Sequence, residues 1–398
     1  MPAQHVPVPR CLGSFVGARR PLAVAVLACV LGACGPRGTA PGQTGLNQAV
    51  APSSGVQAQT ASTPVVAPCV EATTACERWI TYGKGPARSM VYSTYALDTP
   101  NPKVTRALIM VHGAMRNADH YFRTATTAAF LGRALDDTVV IAPHLIDRSD
   151  PRQENEVVWP EHKDNPINWR DGGVSVTDPG LTSFDFVDEI VRKLADKKNF
   201  PNLTHIVVAG HSAGGQFTNR YEMANKLDGT LAGITMSYAV ANPSSYAWPS
   251  SDRPLPVGDA DPKDAYKEAM KGEEVSTDFK YGPFDASKVP TYDKWPKGMQ
   301  DLGGYVKDMS ADQLRKQLAE RKTTYLLGQV DVLPLGGFDS SPGAMAQGPT
   351  RRARGEAYAK YIEDKLGAKP QVIIVSECGH NDRCIYTTGN VLPVIFPK

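Results

Sequence analysis

From Cys76 onward, short runs of consecutive apolar residues alternate with longer stretches in which apolar positions recur every three or four places. The short runs are rich in β-branched residues and predict strands at 79–83, 88–95, 105–111, 138–142, 204–209, 232–239, 323–328 and 371–376. Arg106-Ala-Leu-Ile-Met-Val111, Thr138-Val-Val-Ile-Ala142 and Thr204-His-Ile-Val-Val-Ala209 are apolar without alternation, the pattern of central parallel strands covered on both faces. Between them the spacing predicts helices near 120–135, 183–198, 213–227 and 349–366. In the second of these, Phe184, Val187, Ile190, Val191 and Leu194 form one apolar stripe. Ser183 is placed to cap it, and Pro201 stops the chain from continuing as helix. This alternation predicts the α/β class: a mostly parallel central sheet flanked by helices on both faces.

Two segments break the alternation. Residues 143–182 are rich in Pro, Asn, Asp and Gly and carry Trp159 and Trp169. Residues 242–321 form an insert between the sixth and seventh strands and hold nine aromatics, among them Tyr246, Trp248, Trp295 and Tyr305. Loops of such length in a compact domain usually serve as lids or binding walls, and the aromatics read equally well as a small core of the insert.

The chain has 398 residues, 41% hydrophobic and 21% charged, with a formal net charge of +2. That composition is globular and carries no basic excess toward nucleic acid. The 35 glycines and 32 prolines show no period, which excludes a collagen-like chain. Near the N-terminus, Arg10, Arg19 and Arg20 precede an apolar run from Pro21 to Ala33, a signal-peptide arrangement too short for a comfortable membrane span. The run ends in Leu31-Gly32-Ala33-Cys34, which resembles the lipobox of bacterial lipoproteins. That resemblance implies cleavage before Cys34 and a diacylglycerol on its thiol, and Gly35 after it implies the outer membrane. Ordinary signal-peptide cleavage, with release to the periplasm or outside, is the alternative. The expected domains are a signal peptide over 1–33, a flexible tether over 34–68 and a catalytic body over 69–398. With Cys11 and Cys29 removed and Cys34 lipidated, four cysteines permit three pairings; the local ones, Cys69–Cys76 and Cys378–Cys384, are expected in an oxidising compartment.

The chemistry centres on Gly210-His211-Ser212-Ala213-Gly214-Gly215. Gly-x-Ser-x-Gly is a weak pattern alone, but here an apolar strand enters it and Ala213, Phe217, Tyr221 and Ala224 leave it as a helical stripe. That strand–turn–helix setting exposes a serine as a nucleophile, and the glycines answer a steric demand of the turn. A serine needs a base. Of the eight histidines only His380 follows Ser212 in the chain, directly after the last strand, as the order serine, acid, histidine requires. Asp331, just past the strand at 323–328, is the expected acid, with Asp339 and Asp382 as fallbacks. An oxyanion hole takes two backbone amides, expected from Ala213 and from Ala114 (or its neighbour Met115) in the loop His112-Gly113-Ala114-Met115. His112 itself is expected to be a packed, hydrogen-bonded support.

The His-Gly loop, this Gly-His-Ser-Ala-Gly-Gly elbow, the Asp331 slot and the Gly379-His380 ending together resemble the α/β-hydrolase superfamily over roughly 79–398. Ala241-Asn-Pro-Ser-Ser-Tyr246 and Gln347-Gly-Pro-Thr-Arg-Arg-Ala-Arg-Gly355 look like a bacterial and fungal branch of it, and the cysteine pair around His380 departs from the pattern. The resemblance implies the α/β-hydrolase fold and a serine hydrolase that acts on a carboxylic ester, small or polymeric, through an acyl-enzyme. The sequence has no His-Glu-x-x-His, phosphate loop or dinucleotide fingerprint, so no metal and no cofactor are expected. The aromatic insert suggests an apolar or aryl substrate part. An exported peptidase or amidase with the same three residues is the alternative, and a non-catalytic binding protein of the same fold is a different class. Asp259-Ala-Asp261-Pro-Lys-Asp264 lacks the glycine and distal glutamate of a calcium loop and reads as a solvated turn. No partner is expected beyond substrate and, through the lipid anchor, a membrane; oligomeric state is not legible.

Overall fold

The computed structural model describes residues 67–161, 167–255 and 272–398. The signal segment, Cys34, nearly all of the expected tether and the acidic turn at 259–264 lie outside the described residues. Eight strands form one sheet: β1 (Glu77–Thr81), β2 (Arg88–Ser93), β3 (Arg106–Val111), β4 (Thr138–Pro143), β5 (His205–His211), β6 (Thr235–Ala241), β9 (Thr323–Gly328) and β10 (Gln371–Val375), in the order β1-β2-β4-β3-β5-β6-β9-β10. β1 and β2 run antiparallel; from β4 to β10 every neighbouring pair is parallel. β7 (Asp252–Leu255) and β8 (Lys280–Pro283) make a separate antiparallel pair within the insert. All eight sheet strands coincide with the apolar runs, to within about three residues at their ends.

The absence of alternation in the central strands has a direct structural cause. Ile109, Val111, Ile206, Val208 and Val240 point to one face and join a core with Trp159, Phe184, Phe217 and Tyr358. Leu108, Met110, Val207, Ala209 and Ala241 point to the other and pack with Phe122, Ala125 and Tyr386. Each fully buried Val, Leu or Ile contributes about 1.5–3 kcal/mol, so both faces must be covered. The covers are α1 (Ala118–Leu131), α2 (Ser183–Ala195), α3 (Ala213–Ala224), α4 (Ala311–Glu320), α6 (Arg351–Leu366), α7 (Asp382–Thr387) and α8 (Leu392–Ile395), while the single turn α5 (Pro342–Met345) belongs to neither core. Thr182, not Ser183, caps α2: its side chain accepts from Asp185 N and the Asp185 carboxylate accepts from Thr182 N, a reciprocal box. Ser183 instead donates to Trp169 O at 2.7 Å.

Most described aromatics of the insert join or pack against the sheet's own core, while Phe284 and Tyr292 pair with each other at 4.8 Å. Tyr246 and Trp248 are fully buried, Trp295 and Tyr305 nearly so, and all four belong to the cluster of Ile109 and Phe217. Both local disulfides are present, Cys69–Cys76 with Cα atoms 5.6 Å apart and Cys378–Cys384 at 5.8 Å. Among the described residues no helix is long and apolar enough to cross a membrane.

Candidate active site

β5 delivers Ser212 to the C-terminal edge of the sheet, and α3 begins at the next residue. Ser212 stands at φ 59°, a left-handed conformation costly for a residue with a side chain. The elbow is held by Ser212 N donating to Ala241 O at 3.0 Å and Gln216 N donating to Ser212 O at 2.9 Å. A methyl at Gly214 would overlap the carbonyls of Val111 and His112, and one at Gly210 would overlap the Gly214 carbonyl. The expected steric demand on these glycines is therefore real, and the colliding atoms are backbone.

Three distant segments converge there. His380 Nε2 lies 2.9 Å from Ser212 Oγ, and His380 Nδ1 lies 2.8 Å from Asp331 Oδ2. With Nδ1–H donating to the carboxylate, Nε2 is free to accept from the serine hydroxyl. Asp331 is almost fully buried, three residues beyond β9, and Asp331 N donates to Gly328 O at 3.1 Å. The two fallback acids lie elsewhere: Asp339 pairs with Lys297 at 3.3 Å, and Asp382 takes His120 Nε2 at 3.0 Å and Thr124 Oγ1 at 2.8 Å. His380 sits inside the loop that Cys378–Cys384 closes, and Asn381 caps α7 by accepting from Cys384 N at 2.8 Å.

The loop after β3 is fixed by His112. Its Nε2 accepts from Leu145 N at 3.0 Å, so Nδ1–H donates to Gly113 O at 2.9 Å. Burial pulls this imidazole down to about 3, which keeps it neutral. It is a support, as expected. Ala114 follows in that loop, and Ala213 occupies the first position of α3, where an amide has no partner within the helix. Ala114, Ser212 and Ala213 line one cavity of about 380 Å³; Met115 is largely exposed to solvent. His211 packs its ring 4.5 Å from that of His380. Burial drives His211 well below the ordinary histidine range, so it stays neutral and puts no second positive charge beside His380.

The model of the alpha/beta hydrolase family matches residues 108–388. The chain belongs to the alpha/beta hydrolase family. Among solved structures this hydrolase resembles poly(aspartic acid) hydrolase-1 from Sphingomonas sp. KT-1, at 20% identity and TM-score 0.52, over 80% of this chain and 97% of the other. It also resembles a poly(3-hydroxybutyrate) depolymerase from Bordetella parapertussis, at 17% identity and TM-score 0.51, over 78% and 88%. Likeness at these identities concerns the fold. No curated protein matches the sequence.

Two features of the hydrolase site were not anticipated. The first is Arg351, fully buried at the start of α6. Its guanidinium reaches Asp331 Oδ1 at 3.4 Å, Ser244 Oγ at 2.8 Å and Gly336 O at 3.0 Å. It thus ties the acid to the loop whose Gly336 packs against the His380 ring. The signal was present in Gln347–Gly355: Gln347 exchanges 2.8 Å bonds with the backbone of Tyr246, and Arg354 bonds Gly348 O and Asp339 O. The two segments quoted for the branch resemblance are partners in one internal clamp.

The second is the character of the cleft wall. Segment 143–182 does supply a wall, through Asn168, Arg170 and Asp171. The insert, however, contributes Ser245, Pro296 and Lys297, and among the described residues the lining's aromatic is Phe338. The wall carries charged side chains among apolar ones, unlike the aromatic surface suggested by the insert's composition, because most of the described insert aromatics pack in or against the core.

Proposed function

We propose that this hydrolase is an exported serine esterase that cleaves carboxylic esters through an acyl-enzyme. The observation that carries the reading is the continuous hydrogen-bonded line from Ser212 Oγ through His380 to Asp331. Ser212 Oγ attacks the ester carbonyl carbon while His380 Nε2 takes its proton. The oxyanion is met by the amides of Ala114 and Ala213, and collapse expels the alcohol with the proton returned from His380. Water, deprotonated by the same imidazole, attacks the acyl-enzyme, releasing the acid and restoring Ser212. Asp331 holds the ring in the Nδ1–H tautomer and stabilises the imidazolium, and Arg351 orients Asp331.

The two disulfides support export to an oxidising compartment. The proposed mature protein is the body from residue 69 on a tether, anchored in the outer membrane through a lipidated Cys34 or released. A matched ester and amide of one acyl group, assayed side by side, tests the reaction class: preferential ester turnover that disappears in Ser212→Ala is the expected result. Faster turnover of the amide would assign a peptidase or amidase instead. Mass spectrometry of the exported protein, seeking a diacylglycerol on an N-terminal Cys34, tests the anchor.

A further inference from the structure

The charges on the cleft wall do not cancel. Arg220 is buried in α3 and its Nε lies 3.1 Å from Asp171 Oδ1; its other donors go to Gln216 O at 3.0 Å and Ser245 Oγ at 3.2 Å. Lys297 Nζ faces Asp339 Oδ2 at 3.3 Å. Each of these cations has its carboxylate. Arg170 has none in contact: among the described residues its guanidinium makes no ion pair and its Nε is buried without a hydrogen-bond partner, while Asp171, Asp339 and Asp147 attract it only from longer range. Nearby Arg116 offers no relief, since it is a cation whose own charge is met by Asp147 and Asp150.

This unmatched charge is held in place by a built turn. Arg170 lies in the 3-10 turn Trp169–Asp171, capped by Asn168, whose side chain accepts from Arg170 N while its own amide donates to Asp171. Trp169 is buried against His112 at 4.9 Å and Phe217, and Asp171 O accepts from Trp295 Nε1 at 3.0 Å. The Arg170 guanidinium lies 5.2 Å from the Trp169 ring centroid. Burial pulls its pKa downward, but a guanidinium stays charged at neutral pH. A preorganised guanidinium that faces the same cavity as Ser212, with its Nε buried and unpartnered, gains free energy when an anion completes it.

We propose that Arg170 is a carboxylate-recognition residue, and that the natural ester carries a free carboxylate a few bonds from the scissile carbonyl. One unmatched positive charge calls for one negative charge, and a planar carboxylate fits the guanidinium fork. The hollow is on the order of 10 Å across, which places such a group within reach of a carbonyl at Ser212. The inference rests on the esterase reading and names its substrate class.

The test compares the 4-nitrophenyl monoester of glutaric acid with uncharged 4-nitrophenyl valerate. It also compares 4-carboxyphenyl valerate with its methyl ester, which moves the charge to the leaving group. In at least one pair the charged ester is expected to lead in kcat/KM by about tenfold or more, the scale of a charge-assisted hydrogen bond. Arg170→Gln collapses that ratio toward one through KM, and Arg170→Lys keeps part of it. Native protein that favours the uncharged ester in both pairs, or a ratio that Arg170→Gln leaves intact, overturns the proposal. If neither ester turns over and Ser212 resists a fluorophosphonate, it is the esterase reading that has failed. Calorimetric binding of glutarate to native protein and to Arg170→Gln then decides the subsite alone: binding lost in the variant supports it, and equal or absent binding ends it.

Discussion

The floor of the cleft and its wall are both polar and both built on short turns, yet they settle their charges in opposite ways. On the floor, Asp331 faces His380 and Arg351, and His380 faces Ser212, so every polar group already has the partner it needs before substrate arrives. On the wall two ion pairs close and a third cation is left open. On the proposed reading, a site whose floor is complete and whose wall is one charge short separates chemistry from choice: the floor would move the proton, and the wall would select what is presented to it.

The largest effects should fall on the floor. Ser212→Ala and His380→Gln are each expected to lower kcat by about 10⁴-fold or more, and Asp331→Asn by about 10³–10⁴-fold through loss of the correct tautomer. These losses should be the same for charged and uncharged esters, measured by initial rates; a loss confined to one charge class would dissolve the distinction between floor and wall.

Gly214→Ala strikes the elbow that both regions share through α3. The added methyl meets the carbonyls of Val111 and His112, backbone atoms that cannot step aside, so a cost of about 3 kcal/mol or more is expected in urea unfolding. Unchanged stability would mean that the turn is looser than its φ of 59° at Ser212 implies.

Acid should strengthen one buried part of the fold that both regions share. Burial pushes Glu222, in the middle of the core and hydrogen-bonded by Tyr325 and Asn219, up to about 7. Between the ordinary carboxylate range and pH 7 the folded state then binds a proton that the unfolded chain has released. This group's contribution to stability therefore falls as pH rises through that window and is recovered toward acid. Glu222→Gln should remove that slope and raise stability at pH 8 by on the order of 3 kcal/mol. Thermal melts of the native protein and of Glu222→Gln across pH 5–8 check this; the same pH slope in both would contradict it.

Smaller effects refine how the floor is held. Arg351→Met should lower kcat by about tenfold to a hundredfold with little change in KM, and Arg351→Lys should rescue little because one ammonium cannot reach Asp331, Ser244 and Gly336 together. Replacing Cys378 and Cys384 by serine should cost about 2 kcal/mol in chemical unfolding and lower kcat by a few-fold, since His380 lies in the loop they close.

The floor was legible because its signals are local or ordinal. A strand, two glycines and a helical stripe surround Ser212, and chain order alone isolates His380. The sheet was legible because burial on both faces leaves no polar position to interrupt a central strand. The wall was not. Arg170 lies in a polar loop with no period, and its meaning depends on which carboxylates across the cleft are already taken. The insert misled for a related reason: composition reports that nine aromatics are present but not whether they face substrate or core, and here Trp248 and Tyr246 complete the core beneath α6. Thr182 displaced Ser183 as the cap of α2 because Asp185 sits three residues after it and closes a reciprocal box.

The most direct test of the central claim is covalent labelling of the native protein with a fluorophosphonate, followed by peptide mass spectrometry. The account predicts one modified residue, Ser212, with labelling abolished in Ser212→Ala and slowed strongly in His380→Gln. A native protein that stays unmodified, or that reacts equally well without the His380 imidazole, would contradict it.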